Sequence, residues 1–433
     1  MTFLNTRYEA ARKEWQDLRA AAHPVIYVGA ATCGRAAGAG AVIDYLCDAV
    51  TVGQLTAQII EVGCLGPCYL EPLVIVQKPG MPRICYGNIG IAEMEGLVAR
   101  FLKGDDVCRQ WALGTLDDAE VDGIAPLSEH PVMARQVRRI FSNCGIIDPE
   151  NFNHYLARGG YRGFLHALEI GREKTLDEVR RSGLRGRGGA GFPTFKKWEF
   201  CKNSPGEKRF LICNCSEGDP GSFMNRSLIE GDPHAVLEGM LIAGYAMNAT
   251  AGYVYCGVEY ATVFNRLNTA IDQMRAHGLL GEAVGGSDFS FDIIVKRGAG
   301  AYVCGEETAL IAAIESRRGM PRPRPPFPAA SGLWGYPTNI QNVETLGNLP
   351  LILRNGADWY TECGTENNKG TRSFSMAGSI RHPGLIEVPL GMTLKDIIYD
   401  VGGGAPMGRA IKAVQTGGPS GGCLPAEKFD LPV

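Results

Sequence analysis

The chain has 433 residues, of which 45% are hydrophobic and 21% charged, and its formal net charge is -3. That length is too great for one hydrophobic core and predicts roughly two to four domains. The small net charge gives no bulk attraction to nucleic acid, and the composition is that of a globular protein. No run of ~18 apolar residues offers a membrane-spanning helix.

Met1 to Ala22 is charged and helix-like, with Arg7, Glu9, Arg12, Lys13 and Glu14, and it lacks the apolar stretch of a signal peptide. A cytoplasmic protein without direct membrane insertion is expected. Its fourteen cysteines then suggest metal centres or buried thiols before disulfides. Pro24–Val28 reads as a short strand ending near Cys33. Ala36–Ala49 has helical spacing, and Gln58–Val62 is a second strand ending at Gly63-Cys64. Leu73–Gln77 and Arg83–Tyr86 form a predicted hairpin, and Ile91–Lys103 a closing helix. This order within 1–104 is thioredoxin-like. Thioredoxin redox chemistry would need C-x-x-C at a helix start, whereas Cys64 and Cys68 form C-x3-C.

Residues 105–160 read as a mixed polar connector. A larger α/β unit follows over 161–370. Its predicted strands are Arg209–Cys213, Ala251–Val258 and Phe289–Val295, with helices at Asp232–Ala246, Tyr260–His277 and Thr308–Ser316. From 371 the pattern changes to a hairpin through Pro383-Gly384 and a helix at Leu394–Val401. This is the expected start of a β-grasp unit over 371–433, incomplete at Val433. The fold class expected overall is multidomain α/β.

Glycine is enriched, 57 residues or roughly 13% against a usual ~7%. Gly183–Thr194 holds five glycines and two arginines, and Lys196 and Lys197 follow. Such a loop lets a phosphate-bearing ligand lie against backbone amides. Gly186-x-Gly188-x-x-Gly191 matches the dinucleotide fingerprint, but the preceding Thr175–Ser182 reads as a helix where that fingerprint needs a strand. A nucleotide site of another make is expected; a basic surface loop is the alternative. Three further segments share this small, turn-rich, sparsely polar character: Asn214–Gly221, Arg297–Thr308 and Pro337–Thr345. Loops at the carboxyl ends of parallel strands form the ligand crevice of an open α/β sheet, so the four together predict one cofactor pocket. Cys213, Cys215, Cys256 and Cys304 lie on or beside apolar strands and are expected to be inert.

These stretches, with Pro325–Gly335, resemble the flavoprotein NADH-binding subunit of respiratory complex I. They also resemble its soluble relatives in NAD-linked hydrogenases, formate dehydrogenases and electron-bifurcating complexes. The resemblance covers about 161–433, and Glu217–Arg226 looks like the hydrogenase and bifurcating branch. It implies FMN held by Gly186, Arg187, Gly188, Lys197, Asn214, Glu217, Tyr302, Gly305, Glu306, Gln341, Asn342 and Thr345. It implies NAD held by Phe192, Phe200, Asp219, Glu307 and Phe327. The activity implied is an NADH dehydrogenase (diaphorase), passing a hydride to flavin and then single electrons to iron–sulfur centres. Asp219, Gln341 and Arg324 depart from the pattern, replacing a longer glutamate, an asparagine and a lysine. The choice between NADH and NADPH therefore stays open.

The N-terminal layout resembles the thioredoxin-like [2Fe–2S] proteins that accompany these flavoproteins, and implies a cluster on Cys33, Cys64 and Cys68. The usual C-x4-C is broken because Gly38 stands at its second position. Cys47 and Cys85 are candidates for the fourth ligand, and a zinc site or a domain without metal are the alternatives. Relatives carry a [4Fe–4S] cluster on a later C-x2-C-x2-C segment. Its ligands are absent here and are expected in a longer native chain. The implied partners are a small thioredoxin-like [2Fe–2S] subunit and an iron–sulfur catalytic subunit of a hydrogenase, formate dehydrogenase or low-potential reductase. Ferredoxin is a further candidate. The rival readings are a cofactor-free assembly subunit and an NADPH-specific variant.

Overall fold

The computed structural model describes residues 4–433. The N-terminal sheet contains β1 (Val25–Gly29), β2 (Gln58–Val62), β3 (Val74–Gln77), β4 (Ile84–Tyr86) and β5 (Ala112–Thr115) in the order β2-β1-β3-β4-β5. β1 and β2 are parallel and the other pairs antiparallel. Side chains alternate across a strand. Ile26 and Val28 accordingly pack under one face with Val42, Leu46 and Phe101, while Val25 and Tyr27 pack on the other with Ile60 and Leu73. The helix expected over Ala36–Ala49 is split into Thr32–Ala36 and Ala39–Thr51. Gly38 sits between them at φ +107°, a conformation open to glycine and costly for other residues.

The sheet runs past residue 104, because β5 pairs with β4. Nor are residues 105–160 a bare connector. Ile140, Phe141, Cys144, Phe152, Tyr155 and Leu156 are buried in the largest core, with Tyr8 and Ala11 of the helix Asn5–Arg19. The Tyr8 hydroxyl donates to the Gly160 carbonyl at 2.7 Å. Phe152, Tyr155 and Leu156 share one face of the short helix Phe152–Ala157, which the reading of this stretch as a polar connector missed.

The central sheet is all parallel, in the order β8-β7-β6-β9, from β6 (Phe210–Cys215), β7 (Ala251–Gly257), β8 (Asp292–Gly298) and β9 (Thr338–Asn342). The helix Pro233–Met247 is buried at every position, as expected of a helix apolar all round. Leu211, Cys213 and Cys215 face its side, while Phe210, Ile212 and Ile340 face the helix Glu307–Ile314. Two sequence readings change here. The strand expected over Phe289–Val295 lies at Asp292–Gly298; Phe289 and Phe291 instead stack at 5.4 Å just before it. Pro337–Thr345, read as a ligand loop, contains the whole of β9. Its buried polar side chains hide the strand, yet they are paired: Gln341 Nε2 donates to Asn339 Oδ1 at 2.8 Å, and Asn339 Nδ2 to the Lys197 carbonyl at 2.9 Å.

Beyond 371, β10 (Thr371–Met376) and β11 (Gly384–Pro389) form the expected hairpin, followed by a helical segment at Asp396–Val401. A second hairpin joins β12 (Ala413–Gln415) and β13 (Cys423–Pro425). Glu387 ties β11 to the former connector. It is 1% exposed and accepts from the backbone N–H groups of Arg139, Ile140 and Phe141 at 2.8, 3.2 and 3.1 Å, and from the Thr371 hydroxyl. Burial, the largest influence, pushes its carboxyl up to about 7. The unfolded carboxyl titrates near ~4.3. Between those values the native state holds the extra proton, so this group's contribution to stability falls as pH rises. Its size is on the order of 3 kcal/mol. Glu387→Gln should remove that part of the pH dependence. Urea midpoints at pH 5 and pH 8 for both proteins give the measurement; equal slopes would mean Glu387 is ionised throughout.

Candidate functional site

The glycine loop runs from the helix Arg172–Ser182 to the helix Thr194–Asn203, so it is flanked by helices on both sides, as its sequence context implied. Its neck is closed by backbone hydrogen bonds from Gly186 N to the Phe192 carbonyl at 2.9 Å and from Thr194 N to the Leu184 carbonyl at 3.0 Å. Gly189, at φ +119°, forms the open tip, where an added Cβ would meet nothing within 4 Å. Gly188 lies against Asn342; a Cβ there would stand 3.2 Å from that residue's own Cβ. Arg187 is 4% exposed and its guanidinium points into the protein. It donates to the Tyr360 hydroxyl at 3.0 Å and to the Lys369 carbonyl at 2.8 Å, while its backbone N–H donates to Thr345 Oγ1 at 2.8 Å. Arg187 therefore anchors the loop through its backbone N–H and its Nη atoms, while its buried Nε has no partner among the described residues.

The carboxyl ends of the parallel strands face this loop. Asn214, near the end of β6, donates to the Gly305 carbonyl at 2.9 Å. Three predicted residues serve as helix caps, satisfying first-turn N–H groups that lack partners within the helix. Glu217 accepts from Asn225 N and Arg226 N, both at 3.1 Å. Glu306 accepts from Thr308 N at 2.8 Å and Ala309 N at 2.9 Å. Asn342 accepts from Glu344 N at 2.9 Å. Burial raises the Glu217 carboxyl to about 7. For Glu306 burial also pushes upward, but the Thr308 and Ala309 donors outweigh it and hold the carboxyl below its ordinary value. Gln341 is buried within the sheet layer. Tyr302 is half exposed and bonds the Ser420 hydroxyl at 2.5 Å, which sets the C-terminal hairpin over the crevice.

Lys197, Glu307 and Arg324 form one charged cluster. Glu307 takes Lys197 Nζ at 3.3 Å on one oxygen and Arg324 at 2.7 Å on the other. Exposed aromatic rings stand nearby in sequence and space: Phe192 and Phe200 are 6.4 Å apart, and the Arg324 guanidinium lies 5.8 Å from the Phe327 ring. Asp219 accepts from Gly221 N at 2.9 Å and reaches the hairpin at Gly418. It alone of the predicted residues lines a cavity of about 990 Å³ that opens between the 219–224 loop and the C-terminal unit.

The three predicted metal ligands come together. The sulfurs of Cys33, Cys64 and Cys68 all lie within 4.8 Å of one another, with Cys64 and Cys68 at 3.7 Å. Hydrogen bonds from Cys33 and Cys64 lower the Cys68 thiol below its ordinary value, favouring its thiolate over those of its neighbours. Cys47 is exposed and Cys85 is buried in β4; neither joins the group. Cys213, Cys215, Cys256 and Cys304 are buried and form no disulfide.

Sequence reasoning missed the residues that join the two sites. Thr32, beside Cys33, donates its N–H to the buried Glu230 at 2.9 Å, and its hydroxyl bonds the same carboxylate. Gly63 meets Gly231 so closely that a Cβ would stand 2.3 Å from its Cα. Leu385 N of β11 donates to the Gly66 carbonyl at 2.8 Å. The paired glycines at 63 and 231 were visible in the sequence, but nothing there paired them.

The family model described as the Nuo51 FMN-binding domain matches residues 179–351, and an SLBB domain model matches 374–424. The NADP-reducing hydrogenase subunit HndC of Solidesulfovibrio fructosivorans is 52% identical over 299 residues, which is 69% of this chain and 61% of that protein. An NADH-quinone oxidoreductase subunit of Rhizobium meliloti is 41% identical over 293 residues, 67% of this chain and 70% of its own. A crystal structure of an NAD+-reducing [NiFe]-hydrogenase in the H2-reduced state aligns with a TM-score of 0.61 and 28% identity. That alignment covers 99% of this chain and 69% of the hydrogenase chain. The chain thus spans about six-tenths of the hydrogenase subunit that it matches at 52% identity.

Proposed function

The chain belongs to the Nuo51 FMN-binding domain family, and from that premise we propose that it passes electrons between a nicotinamide nucleotide, FMN and iron–sulfur centres as one subunit of a larger complex. The observation that carries this reading is the meeting of the carboxyl end of β9 with a glycine loop whose tip is bare backbone, Gly188 lying against Asn342 and the Arg187 N–H donating to Thr345. FMN, when bound, exchanges a hydride with the nucleotide and single electrons with the clusters.

The residues present fit such a group. The loop offers backbone instead of side chains at Gly188 and Gly189, and Lys197 brings a countercharge at the start of the helix Thr194–Asn203. The positive helix end and the ammonium both suit a phosphate. Arg187, Glu217, Glu306 and Asn342 hold the loops in place through the caps and anchors described above. Phe192, Phe200 and Phe327 offer exposed ring faces for a flat nucleotide base or nicotinamide, beside the Lys197–Glu307–Arg324 cluster. The three-cysteine group packs on Glu230, Gly231 and β11, so a cluster there would lie against the flavin unit, as electron transfer requires.

Among the described residues no helix is long and apolar enough to cross a membrane. Cytoplasmic placement and assembly with a small [2Fe–2S] subunit and an iron–sulfur catalytic subunit are parts of the proposal. The chain should purify with one FMN. Acid-released flavin that chromatographs as FAD, or a folded and reconstituted sample holding none, would overturn the reading and favour an assembly subunit.

A further inference from the structure

The cysteine group lacks a fourth thiolate. Gly38 occupies the place of the missing cysteine, and a Cβ built there meets nothing within 4 Å, so that position faces open space. Beside the three sulfurs stands a different donor. Glu71 is 6% exposed, and its Oε1 lies 3.5 Å from Cys33 Sγ. Its other oxygen, Oε2, accepts the Leu73 N–H at 2.8 Å, which fixes the carboxylate plane and leaves Oε1 turned toward the sulfur. Two glycines make room for it: a Cβ at Gly29 would stand 2.9 Å from Oε2, and one at Gly34 3.1 Å.

We propose that Glu71 is the fourth protein ligand of this site, its carboxylate and Cys33 holding one iron of a [2Fe–2S] cluster while Cys64 and Cys68 hold the other. This deepens the proposed function and rests on its reading of the cysteine group as a cluster site. Two of the separations match those expected for two donors on one metal. Two thiolates at ~2.3 Å from one tetrahedral metal lie ~3.8 Å apart, and a thiolate with a carboxylate oxygen at ~2.0 Å lies ~3.5 Å from it. The observed separations are 3.7 Å for Cys64 with Cys68 and 3.5 Å for Cys33 with Glu71. Charge favours the same arrangement. A buried carboxylate among thiols is costly unless a cation or full set of donors meets it. The partners of Glu71 among the described residues are the Leu73 N–H and the neighbouring thiols of Cys33 and Cys64, with no cation among them. Replacing a thiolate by a carboxylate keeps the ligand charge unchanged, so the cluster's net charge matches that of a four-cysteine site.

The test is 57Fe Mössbauer spectroscopy with iron and sulfide analysis on the reconstituted full chain. The wild type should bind two irons and give two unequal ferric doublets, because one iron has an oxygen ligand. Glu71→Cys should make the sites alike and merge the doublets. Glu71→Ala should lose at least half of the iron, with FMN content and thermal midpoint reporting that the chain is folded. Equal doublets in the wild type, or full iron and an unchanged spectrum in Glu71→Ala, would overturn the role of Glu71 alone. A wild-type chain with normal FMN but no iron would overturn the cluster reading and this inference with it.

Discussion

Lys197→Glu should yield a folded protein that purifies without its flavin. Lys197 lies in the first turn of the helix Thr194–Asn203, where an acidic residue suits the positive end of the helix, so the fold should tolerate the change. The site should not. Its ammonium is the countercharge proposed for the FMN phosphate, and it also pairs with Glu307 at 3.3 Å. Losing one charge-assisted contact costs ~1.5–3 kcal/mol, or ~10- to 150-fold in affinity. The new carboxylate adds repulsion toward both phosphate and Glu307. Flavin fluorescence titration of the apoprotein measures the effect. Full flavin occupancy with wild-type affinity would show that the phosphate lies elsewhere.

Glu307→Gln should instead keep FMN and weaken the use of NADH. Both carboxylate oxygens are engaged by cations, one by Lys197 and one by Arg324, within a site flanked by exposed aromatic rings. A neutral amide of the same shape accepts more weakly from ribose or amide groups. At ~1–2 kcal/mol, that loss raises the Michaelis constant for NADH ~5- to 30-fold. The same change releases Arg324 and Lys197 from their shared anion. Freed cations attract phosphate, so the NADPH to NADH ratio of kcat/KM should rise. Steady-state rates with both nucleotides, beside the FMN content, decide the matter. Loss of flavin with unchanged NADH kinetics would move Glu307 to the flavin side of the site.

The loops that meet at the site were legible in the chain because their chemistry is local. Glycines that leave backbone bare and lysines that follow them act within a few residues, so their spacing carries the message, whereas the capping role of Glu306 appeared only in the structure. The same holds for the predicted hairpins at 73–86 and 373–389 and for the short apolar strands of the N-terminal sheet at 24–28 and 58–62. Arg187 shows where this stops. Its position in a basic loop suggested a phosphate contact, but its Nη2 donates to Tyr360 and Lys369, more than 170 residues away. β9 was missed because Asn339 and Gln341 satisfy each other and the Lys197 carbonyl only once the sheet has formed. Glu71 gave no signal at all. A glutamate three residues beyond C-x3-C is unremarkable in sequence, and becomes a metal-ligand candidate only when folding buries it against Cys33. What the chain alone determined is therefore the set of local chemistries: the cradle, the thiols and the strands. Which of those groups face one another, and which carboxylate stands where a thiolate is missing, was decided by tertiary packing, since contacts between distant residues follow from the burial of whole faces and leave no period in the sequence.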